Sequence, residues 1–130
     1  MSMPVTIATV EGAAKPGGHY SHAVTCGDLV FTSGQLPIQP DGSHDLANAS
    51  FEDQAEQVLA NLQAVLLAGG CSLGSVIKTT VYMSDMENWT AFNTIYARMF
   101  GEHRPARSVV PVGKLHFGYA VEIDAVAVRG

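Results

Sequence analysis

Residues 50–70 carry the pattern of an amphipathic helix with a defined start and end. Ser50 can serve as the N-terminal cap, and Asp53 lies three residues later, as in a variant capping box. Gly69 and Gly70 can supply the left-handed residue that a helix C-terminus favours. Between these ends, apolar side chains recur at i, i+3, i+4 and i+7 spacing: Ala55, Val58, Leu59, Leu62, Val65 and Leu66. A helix of this kind requires an apolar surface to pack against.

A second helix is predicted to follow Ser84. This residue can cap the helix because Glu87 lies three residues later. One apolar stripe runs along the helix and stops at Gly101; its members are Trp89, Phe92, Tyr96, Met99 and Phe100. We interpret the stripe as packing surface and not as a cofactor site.

Six segments have the composition of β-strands: residues 6–10, 23–26, 29–35, 76–83, 107–112 and 120–128. Gly27 and Asp28 separate the second segment from the third and fit a tight hairpin turn. With one helix before the fourth strand and one after it, this order predicts a two-layer α+β fold, a mixed sheet with both helices on one face. At 130 residues the chain is predicted to form a single domain over residues 1–130.

Alternation along the strands assigns side chains to the two faces of the sheet. In the last strand Val121, Ile123 and Ala125 share one face, which is expected to meet the helices, and Glu122 and Asp124 lie on the other. Glu122 is therefore expected to point toward solvent or a partner chain. In the fourth strand the residues expected to share one face are Ile77, Thr79, Val81 and Met83.

The sheet face that the helices leave uncovered is predicted to be apolar. We assign to it Leu29, Phe31, Val109, Val126 and Val128. An exposed apolar patch of this extent indicates self-association. A homo-oligomer is therefore predicted.

Composition limits the classes of partner. Seven basic and twelve acidic residues give a net charge of −5, which argues against non-specific nucleic-acid binding. The N-terminus lacks the regions of a secretory signal, and no apolar run is long enough to span a bilayer. Cys26 and Cys71 have no metal-binding or redox spacing and are expected to be reduced thiols. These features predict a cytoplasmic protein.

Two charged residues stand in segments otherwise suited to burial: Arg107, where a loop enters a strand, and Glu122, in the last strand. A guanidinium can bind a carboxylate through two parallel hydrogen bonds, and a carboxylate in a half-apolar strand can act as an acid, a base or a water-orienting group. We predict that the two residues frame a small-molecule site. Alternatively, Arg107 pairs with an internal carboxylate for structural reasons, and Glu122 faces solvent or yields its role to Asp124.

Polar residues cluster before the second strand and after the third. Tyr20 and Ser21 lie between His19 and His22; two histidines at this spacing can bind a metal, but no third ligand is evident, so no metal is predicted. In Ser33-Gly34-Gln35, the glycine indicates either a close approach of the backbone to another group or a bulge. No phosphate-binding glycine loop or nucleophile signature is present.

Short motifs follow one another along residues 17–128. They are Tyr20-Ser21, Phe31-Thr32-Ser33-Gly34-Gln35, Gln57-Val58-Leu59-Ala60-Asn61-Leu62, Val76-Ile77-Lys78-Thr79-Thr80-Val81, Asn93 through Tyr96, Pro105-Ala106-Arg107 and Val121-Glu122-Ile123. In their order and spacing they resemble the RidA/YjgF family of enamine and imine deaminases. The resemblance implies a chorismate-mutase-like α+β fold and a homotrimer, with the helices outside and clefts between subunits.

The resemblance also implies a reaction and residue roles. The reaction is hydrolysis of a 2-imino acid of the 2-iminopropionate or 2-iminobutanoate type to a 2-oxo acid and ammonia, without metal or cofactor, in metabolite damage control. Arg107 would bind the substrate carboxylate, and Glu122 would position or activate the attacking water. The pocket would be lined by Tyr20, Ser33, Gly34 and Asn93.

The chain departs from the family pattern at several positions, which leaves its substrate range open. His19 and His116 stand where proline is frequent, His22 where glutamine or glycine is common, and Val109 where some members have cysteine. Three alternative functions also remain: a catabolic deaminase of another carboxylated enamine, of the aminomuconate or aminoacrylate type; a non-catalytic carboxylate-binding regulatory trimer; and a ribonuclease. The acidic charge and the lack of a basic stripe with interleaved aromatic residues weigh against the last.

Overall fold

The structure, a computed structural model, describes residues 3–129. Its helices are α1 (Phe51–Ala68) and α2 (Trp89–Phe100), with short 3₁₀ turns at Asp45–Asn48, Leu73–Ser75, Met86–Asn88 and His116–Gly118. Its strands are β1 (Val5–Ile7), β2 (Ala23–Cys26), β3 (Leu29–Thr32), β4 (Val76–Met83), β5 (Ala106–Pro111) and β6 (Val121–Val128). The strands form one sheet in the order β1-β2-β3-β6-β4-β5. No helix in this part of the chain is long and apolar enough to cross a membrane.

The sheet is mixed, as predicted. β4 and β5 run parallel, with α2 as the connection between them, whereas the other neighbouring strands are antiparallel. The two helices contact each other, and α1 also packs against β3 and β6. Their buried side chains join the inward-facing residues of β4 and β6 in one hydrophobic cluster. The predicted α+β fold, with two helices and a mixed sheet, is thereby confirmed.

Helix α1 begins and ends where the sequence predicts. The Ser50 hydroxyl accepts a hydrogen bond from the Asp53 amide at 3.1 Å. Just beyond the helix, Gly70 has a left-handed φ of +80°. The predicted apolar positions are all fully buried. Local sequence signals are therefore sufficient to define this helix.

Two polar side chains on the buried face of α1 hold neighbouring loops. The Asn61 side-chain amide donates to the carbonyl oxygens of Leu36 and Ile38, each at 2.8 Å. The Gln54 side-chain oxygen accepts a hydrogen bond from the Ala120 amide at 2.8 Å. Because buried polar groups are costly when unpaired, these bonds fix the segments after β3 and before β6 against the helix.

Helix α2 begins later than predicted and with a different cap. The Ser84 amide donates to the Ala120 carbonyl at 3.3 Å, so Ser84 still belongs to the edge of the sheet. The Asp85 carboxylate instead accepts from the Glu87 amide at 2.9 Å and caps the 3₁₀ turn that precedes Trp89. The helix stops at Gly101, as predicted, and its buried residues are Phe92, Ile95, Tyr96 and Phe100.

A β-bulge in β4 changes which side chains face the helices. The register with β6 shifts between Val76 and Lys78, so Ile77 has no partner in β6. The extra residue places Val76 on the buried side and leaves Ile77 exposed. The prediction that Ile77 shares a face with Thr79, Val81 and Met83 is therefore wrong; the other three are buried together on the helix side.

The first strand is shorter than predicted. The Ile7 carbonyl accepts a hydrogen bond from the His22 amide at 3.0 Å, and the chain then leaves the sheet. Residues 8–10 are therefore not part of β1. Val10 is nevertheless buried, as a member of the hydrophobic cluster outside the sheet.

The third strand also ends early, at Thr32. The Thr32 hydroxyl accepts a hydrogen bond from the Ala125 amide at 3.0 Å, in the place of a backbone carbonyl. Gln35 then returns to β6 through a single bridge to Ile123. The residues between, Ser33 and Gly34, lie outside the regular ladder and next to β6.

Strand β5 lies at the edge of the sheet, and its pairing with β4 shows which face Val109 occupies. Arg107 is opposite Thr79 and Val109 is opposite Val81, and both partners are buried on the helix side. Val109 therefore packs against the core, and its predicted place on the uncovered face is wrong. Val110 occupies the uncovered face instead.

Strand β6 alternates as predicted. Its inward residues are buried, and Glu122 and Asp124 lie half-buried on the uncovered face. Exposed apolar side chains share that face: Leu29, Phe31, Val110 and Val128. The homo-oligomer stays a prediction, for which this apolar surface is the physical reason.

Candidate active site

The predicted site residues lie in two cavities on opposite faces of the sheet. One, on the helix side, has Arg107 and Asn93 in its wall and a volume of about 550 Å³. We call it the arginine cavity. The other, on the uncovered side, has a volume of about 540 Å³ and is called the glutamate cavity; its wall includes Tyr20, Ser33, Gly34 and Glu122.

Arg107 is held in the arginine cavity by residues of α2. Its Nη1 donates a hydrogen bond to the Asn93 Oδ1 at 3.0 Å. The guanidinium carbon lies 4.7 Å from the centre of the Tyr96 ring and 5.9 Å from that of Trp89, distances at which an aromatic face attracts a cation. The Tyr96 hydroxyl is itself hydrogen-bonded to the Thr79 hydroxyl at 2.9 Å. The guanidinium group is thereby oriented before any ligand arrives.

The structural alternative for Arg107 is not supported. Among residues 3–129, one ion pair has its charged atoms within 4.0 Å, and it joins the exposed side chains of Arg98 and Glu56. Arg107 therefore has no carboxylate partner in the described chain. Its guanidinium N–H groups other than the one bonded to Asn93 also lack a hydrogen-bond partner there. A half-buried cation in this state is well suited to bind an incoming carboxylate through its planar fork.

Glu122 lies directly over Gly34 in the glutamate cavity. A Cβ atom at position 34 would collide with the carboxylate group of Glu122, so this close approach requires glycine. Burial raises the pKa of Glu122, and the Asp124 carboxylate adds to the effect, whereas His116 lowers it. Glu122 therefore keeps its proton to a higher pH than an ordinary carboxyl group, which is a frequent property of acid–base residues.

Asp124 shares the face of Glu122, but its carboxylate is already engaged. The Tyr82 hydroxyl donates a hydrogen bond to the Asp124 Oδ2 at 2.8 Å. This bond is the largest of the effects that raise the pKa of Tyr82 to about 12. Asp124 does not line the glutamate cavity. The geometry therefore favours Glu122 over Asp124 as the carboxylate that meets a ligand.

Tyr20 and Ser33 form another part of the wall of the glutamate cavity. The Ser33 hydroxyl donates to the Ser21 carbonyl at 2.5 Å. The Tyr20 hydroxyl accepts a hydrogen bond from the Gly17 amide at 3.2 Å, which folds the loop back on itself, and half of the Tyr20 surface stays exposed. Both side chains thus reach the cavity from backbone segments that hydrogen bonds hold in place.

His22 is buried behind this wall and connects its two parts. Its Nε2 lies 2.7 Å from the Ala14 carbonyl, which can only accept, so Nε2 carries the proton and Nδ1 accepts from the Gln35 amide at 3.4 Å. The Ser33 amide donates to the His22 carbonyl at 2.9 Å. His22 therefore positions the loop of Tyr20 against the end of β3, and neither ring nitrogen is free for another role.

The other two unusual histidines differ in position. His19 is exposed and lines neither cavity. His116 lines the glutamate cavity beside Lys114, close enough to Glu122 to lower its pKa. In the described part of the chain, no group of three or more histidine, cysteine, aspartate or glutamate side chains is arranged to hold a metal ion.

The site also includes residues that the sequence patterns assign elsewhere. Trp89 and Tyr96 belong to the helix stripe, yet both rings face the guanidinium group of Arg107. The signal that could have identified them is Asn93, a polar residue that shares the stripe at i+4 from Trp89. Lys114 lies in a loop, where periodicity carries no information.

Of the predicted residues, the structure brings Tyr20, Ser33 and Gly34 together with Glu122, and it brings Asn93 together with Arg107. It does not unite the two groups. Arg107 lies on the helix side of β5 and Glu122 on the uncovered side of β6, so the sheet stands between them.

Comparison with known proteins finds relatives along nearly the whole chain. The protein-family profile described as "Endoribonuclease L-PSP" matches residues 10–129. A RutC family protein of Pyrococcus horikoshii is 43% identical over 119 residues, which cover 92% of this chain and 94% of the relative. An Escherichia coli protein named "Putative reactive intermediate deaminase TdcF" is 38% identical over 125 residues, 92% of this chain and 95% of its own.

The similarity extends to three-dimensional structure. The crystal structure of E. coli TdcF with bound serine matches this chain with a TM-score of 0.89 and 37% identity, covering 97% of this chain and 100% of that one. The strands and helices described above therefore have the same arrangement in both proteins.

Proposed function

Because this chain belongs to the endoribonuclease L-PSP family, the group of the RidA/YjgF reactive intermediate deaminases, we propose that it hydrolyses 2-imino acids to 2-oxo acids and ammonia. The substrates would be of the 2-iminopropionate or 2-iminobutanoate type, which form when enamines released by other enzymes tautomerise. Removal of these reactive compounds would limit damage to other proteins.

The observation that best supports the proposal is that the Arg107 guanidinium group has no carboxylate partner within the described chain. Arg107 is oriented by Asn93 and Tyr96, and the N–H groups that remain match the geometry of a carboxylate. The related TdcF structure contains serine, a small molecule with a carboxylate, which supports a ligand of this class here. A 2-imino acid also carries its carboxylate next to the reacting carbon, so anchoring it would orient the C=N bond.

Hydrolysis of a protonated 2-imino acid requires three proton transfers. Water adds to the C=N carbon and loses a proton, which gives a tetrahedral carbinolamine. The carbinolamine nitrogen then gains a proton and leaves as ammonia, while the hydroxyl group loses its proton and becomes the C=O of the 2-oxo acid. Glu122 would take the proton from water, return it to the departing nitrogen and accept the hydroxyl proton, which then passes to the released ammonia. A protonated imine is already electrophilic, so orientation and proton transfer, the latter typically about 10²–10⁴-fold, would be the main contributions of the protein.

The separation of Arg107 from Glu122 supports a site formed by two chains. In the proposed homotrimer, Arg107 and Asn93 of one subunit would face the glutamate cavity of its neighbour. The exposed apolar side chains of the uncovered sheet face provide the surface for this association. Sedimentation of the purified protein as a monomer at micromolar concentration would contradict this arrangement.

The proposed activity is tested by generating 2-iminopropionate from alanine with an amino-acid oxidase and trapping what remains with semicarbazide. The protein should decrease the semicarbazone signal and accelerate the release of pyruvate and ammonia. Tight binding of pyruvate without ammonia release would support a carboxylate-binding regulatory trimer. Turnover confined to aminomuconate or aminoacrylate derivatives would support a catabolic deaminase.

Gly34→Ala should impair this activity on the order of 10²-fold, because the new Cβ displaces the Glu122 carboxylate and a shift of about 1 Å can cost that much. The stability cost should be near 1 kcal/mol, the low end for overpacking, since the glutamate side chain can swing away. The matched control is Gly113→Ala, whose Cβ would meet nothing within 4 Å. Both are compared by the imine assay and by urea denaturation; equal activities would contradict the close-approach role of Gly34.

The family description names a second activity, endoribonuclease. The net charge of −5 weighs against it, because RNA binding depends on basic surfaces. An RNA-cleaving activity that co-purifies with the folded protein and is lost in the Arg107→Ala variant would favour this second function.

A further inference from the structure

A third cavity adjoins the glutamate cavity and has not been assigned a role. Its volume is about 210 Å³, and it shares Tyr20, Leu36 and His116 with the glutamate cavity. We call it the side pocket. A group bound beside Glu122 would therefore reach the side pocket without crossing the sheet.

Aliphatic and aromatic side chains line the part of the side pocket that adjoins the glutamate cavity. Leu36 and Ile38 contribute aliphatic surface, and Phe117, half of which is exposed, contributes an aromatic ring. His44 closes this side, but its Nδ1 is already hydrogen-bonded to the Tyr119 hydroxyl at 2.9 Å. The exposed Lys15 lies at the rim, where its ammonium group can stay in water.

Contacts between neighbouring residues support these walls. The Phe117 ring stacks on His44 at 3.9 Å between centroids and contacts the His116 ring at 4.9 Å. Phe117 also adopts a left-handed φ of 62°, the only non-glycine residue among residues 3–129 to do so, and such strain persists where surrounding contacts impose it. On the other wall, the Asn61 side chain fixes the backbone of Leu36 and Ile38.

The size of the side pocket limits what it can take. Pockets that bury whole drug-sized ligands measure about 300–1,000 Å³, so a cavity of about 210 Å³ has room for one substituent rather than a cofactor. In a 2-imino acid oriented by its carboxylate, the substituent at the reacting carbon is the amino-acid side chain.

We propose that the side pocket receives the substrate side chain and makes this protein selective for 2-imino acids with branched or aromatic side chains over those with methyl or ethyl groups. This inference rests on the proposed function: the reaction is the same, and 2-iminopropionate and 2-iminobutanoate remain substrates, but they are hydrolysed less efficiently than imines with larger side chains. It assigns Phe117, Ile38 and Leu36 to specificity, with the ring of Phe117 as the surface against which the side chain packs.

The test compares imines made from leucine and phenylalanine with those made from alanine in the semicarbazide assay. A filled apolar pocket discriminates about 10–200-fold per methylene, so kcat/KM for the larger imines should exceed that for 2-iminopropionate by at least about tenfold. In Phe117→Asn, which keeps a residue tolerant of left-handed φ, and in Ile38→Ala, this ratio should fall about tenfold. Leu67→Ala, an exposed leucine on the outer side of α1, is the control and should keep the parental ratio.

Equal or lower kcat/KM for the larger imines, or an unchanged ratio in both pocket variants, would overturn the inference. If no imine were hydrolysed, the proposed function would fail, and the pocket would be judged by calorimetric binding of the corresponding 2-oxo acids. Binding of 4-methyl-2-oxopentanoate and phenylpyruvate about tenfold tighter than pyruvate, reduced in Phe117→Asn, would support the pocket; equal affinities would refute it.

Discussion

Arg107→Ala should lower kcat/KM for 2-iminopropionate on the order of 10²-fold. Hydrogen bonds to a charged group contribute about 1.5–3 kcal/mol, and about 1.4 kcal/mol corresponds to a tenfold change in rate. Because the substrate carboxylate does not change during the reaction, the loss should appear mainly as a higher KM. The kcat/KM of Arg107→Lys should lie between those of the parent protein and of Arg107→Ala. Lysine keeps the positive charge but lacks the planar guanidinium group that Asn93 and Tyr96 orient.

The matched control for this prediction is Arg98→Ala. Arg98 lies on the same helix side, but it is exposed and paired with Glu56, a type of ion pair that contributes little. Its removal changes the net charge by the same amount as removal of Arg107. Steady-state kinetics that are indistinguishable for the two alanine variants would refute the anchoring role of Arg107.

Glu122→Gln should reduce kcat by about 10²–10⁴-fold, the usual contribution of a positioned acid–base group. Glutamine preserves the size of the side chain over Gly34 but cannot accept a proton from water. Asp124→Asn should keep most of kcat, because the Asp124 carboxylate is bonded to Tyr82 and lies outside the glutamate cavity. A larger loss in Asp124→Asn than in Glu122→Gln would reverse the assignment of the two carboxylates.

The pH profile provides an independent check on Glu122. The acidic limb of kcat/KM reports ionisation of the base in the free enzyme. Burial and Asp124 raise the pKa of Glu122, so removal of the Asp124 charge should move this limb to lower pH. His116 has the opposite effect on that pKa, so His116→Gln should move the limb to higher pH. Limbs that coincide in all three proteins would show that another group is titrating.

The free energy of unfolding should also depend on pH through the ionisation of Glu122, and the direction of this dependence follows from its raised pKa. Between the ordinary carboxyl pKa and the raised pKa of Glu122, the folded chain holds a proton that the unfolded chain has lost. The free energy of unfolding therefore decreases as pH rises through this interval. Glu122→Gln removes the decrease and should be more stable than the parent above the interval, as measured by urea denaturation at acidic and neutral pH.

The parts of the fold that the sequence predicts well are those specified by neighbouring residues. The start of α1 depends on Ser50 and Asp53, which are three residues apart, and its buried face follows a regular spacing. The two faces of β6 follow from strict alternation, which already directs Glu122 away from the helices. Resemblance to a family could then attach roles to residues whose spacing alone was uninformative.

The features that escape prediction depend on partners distant in sequence. The bulge at Ile77 is set by the register between β4 and β6, and the inward position of Val109 by the register between β4 and β5. The separation of Arg107 from Glu122 has the same origin, because pairing decides which face of an edge strand carries its arginine. The left-handed Phe117 is held by His44, a residue from another loop.

The placement of the two charged groups on opposite sides of one sheet has a consequence for the behaviour of the protein at low concentration. If each site is completed by a neighbouring chain, specific activity should decline on dilution below the dissociation constant of the subunits, while each chain stays folded. A substitution that weakens only the association would then leave a cell with normal amounts of intact protein and no turnover. Assays of this protein should therefore state its concentration together with its rate.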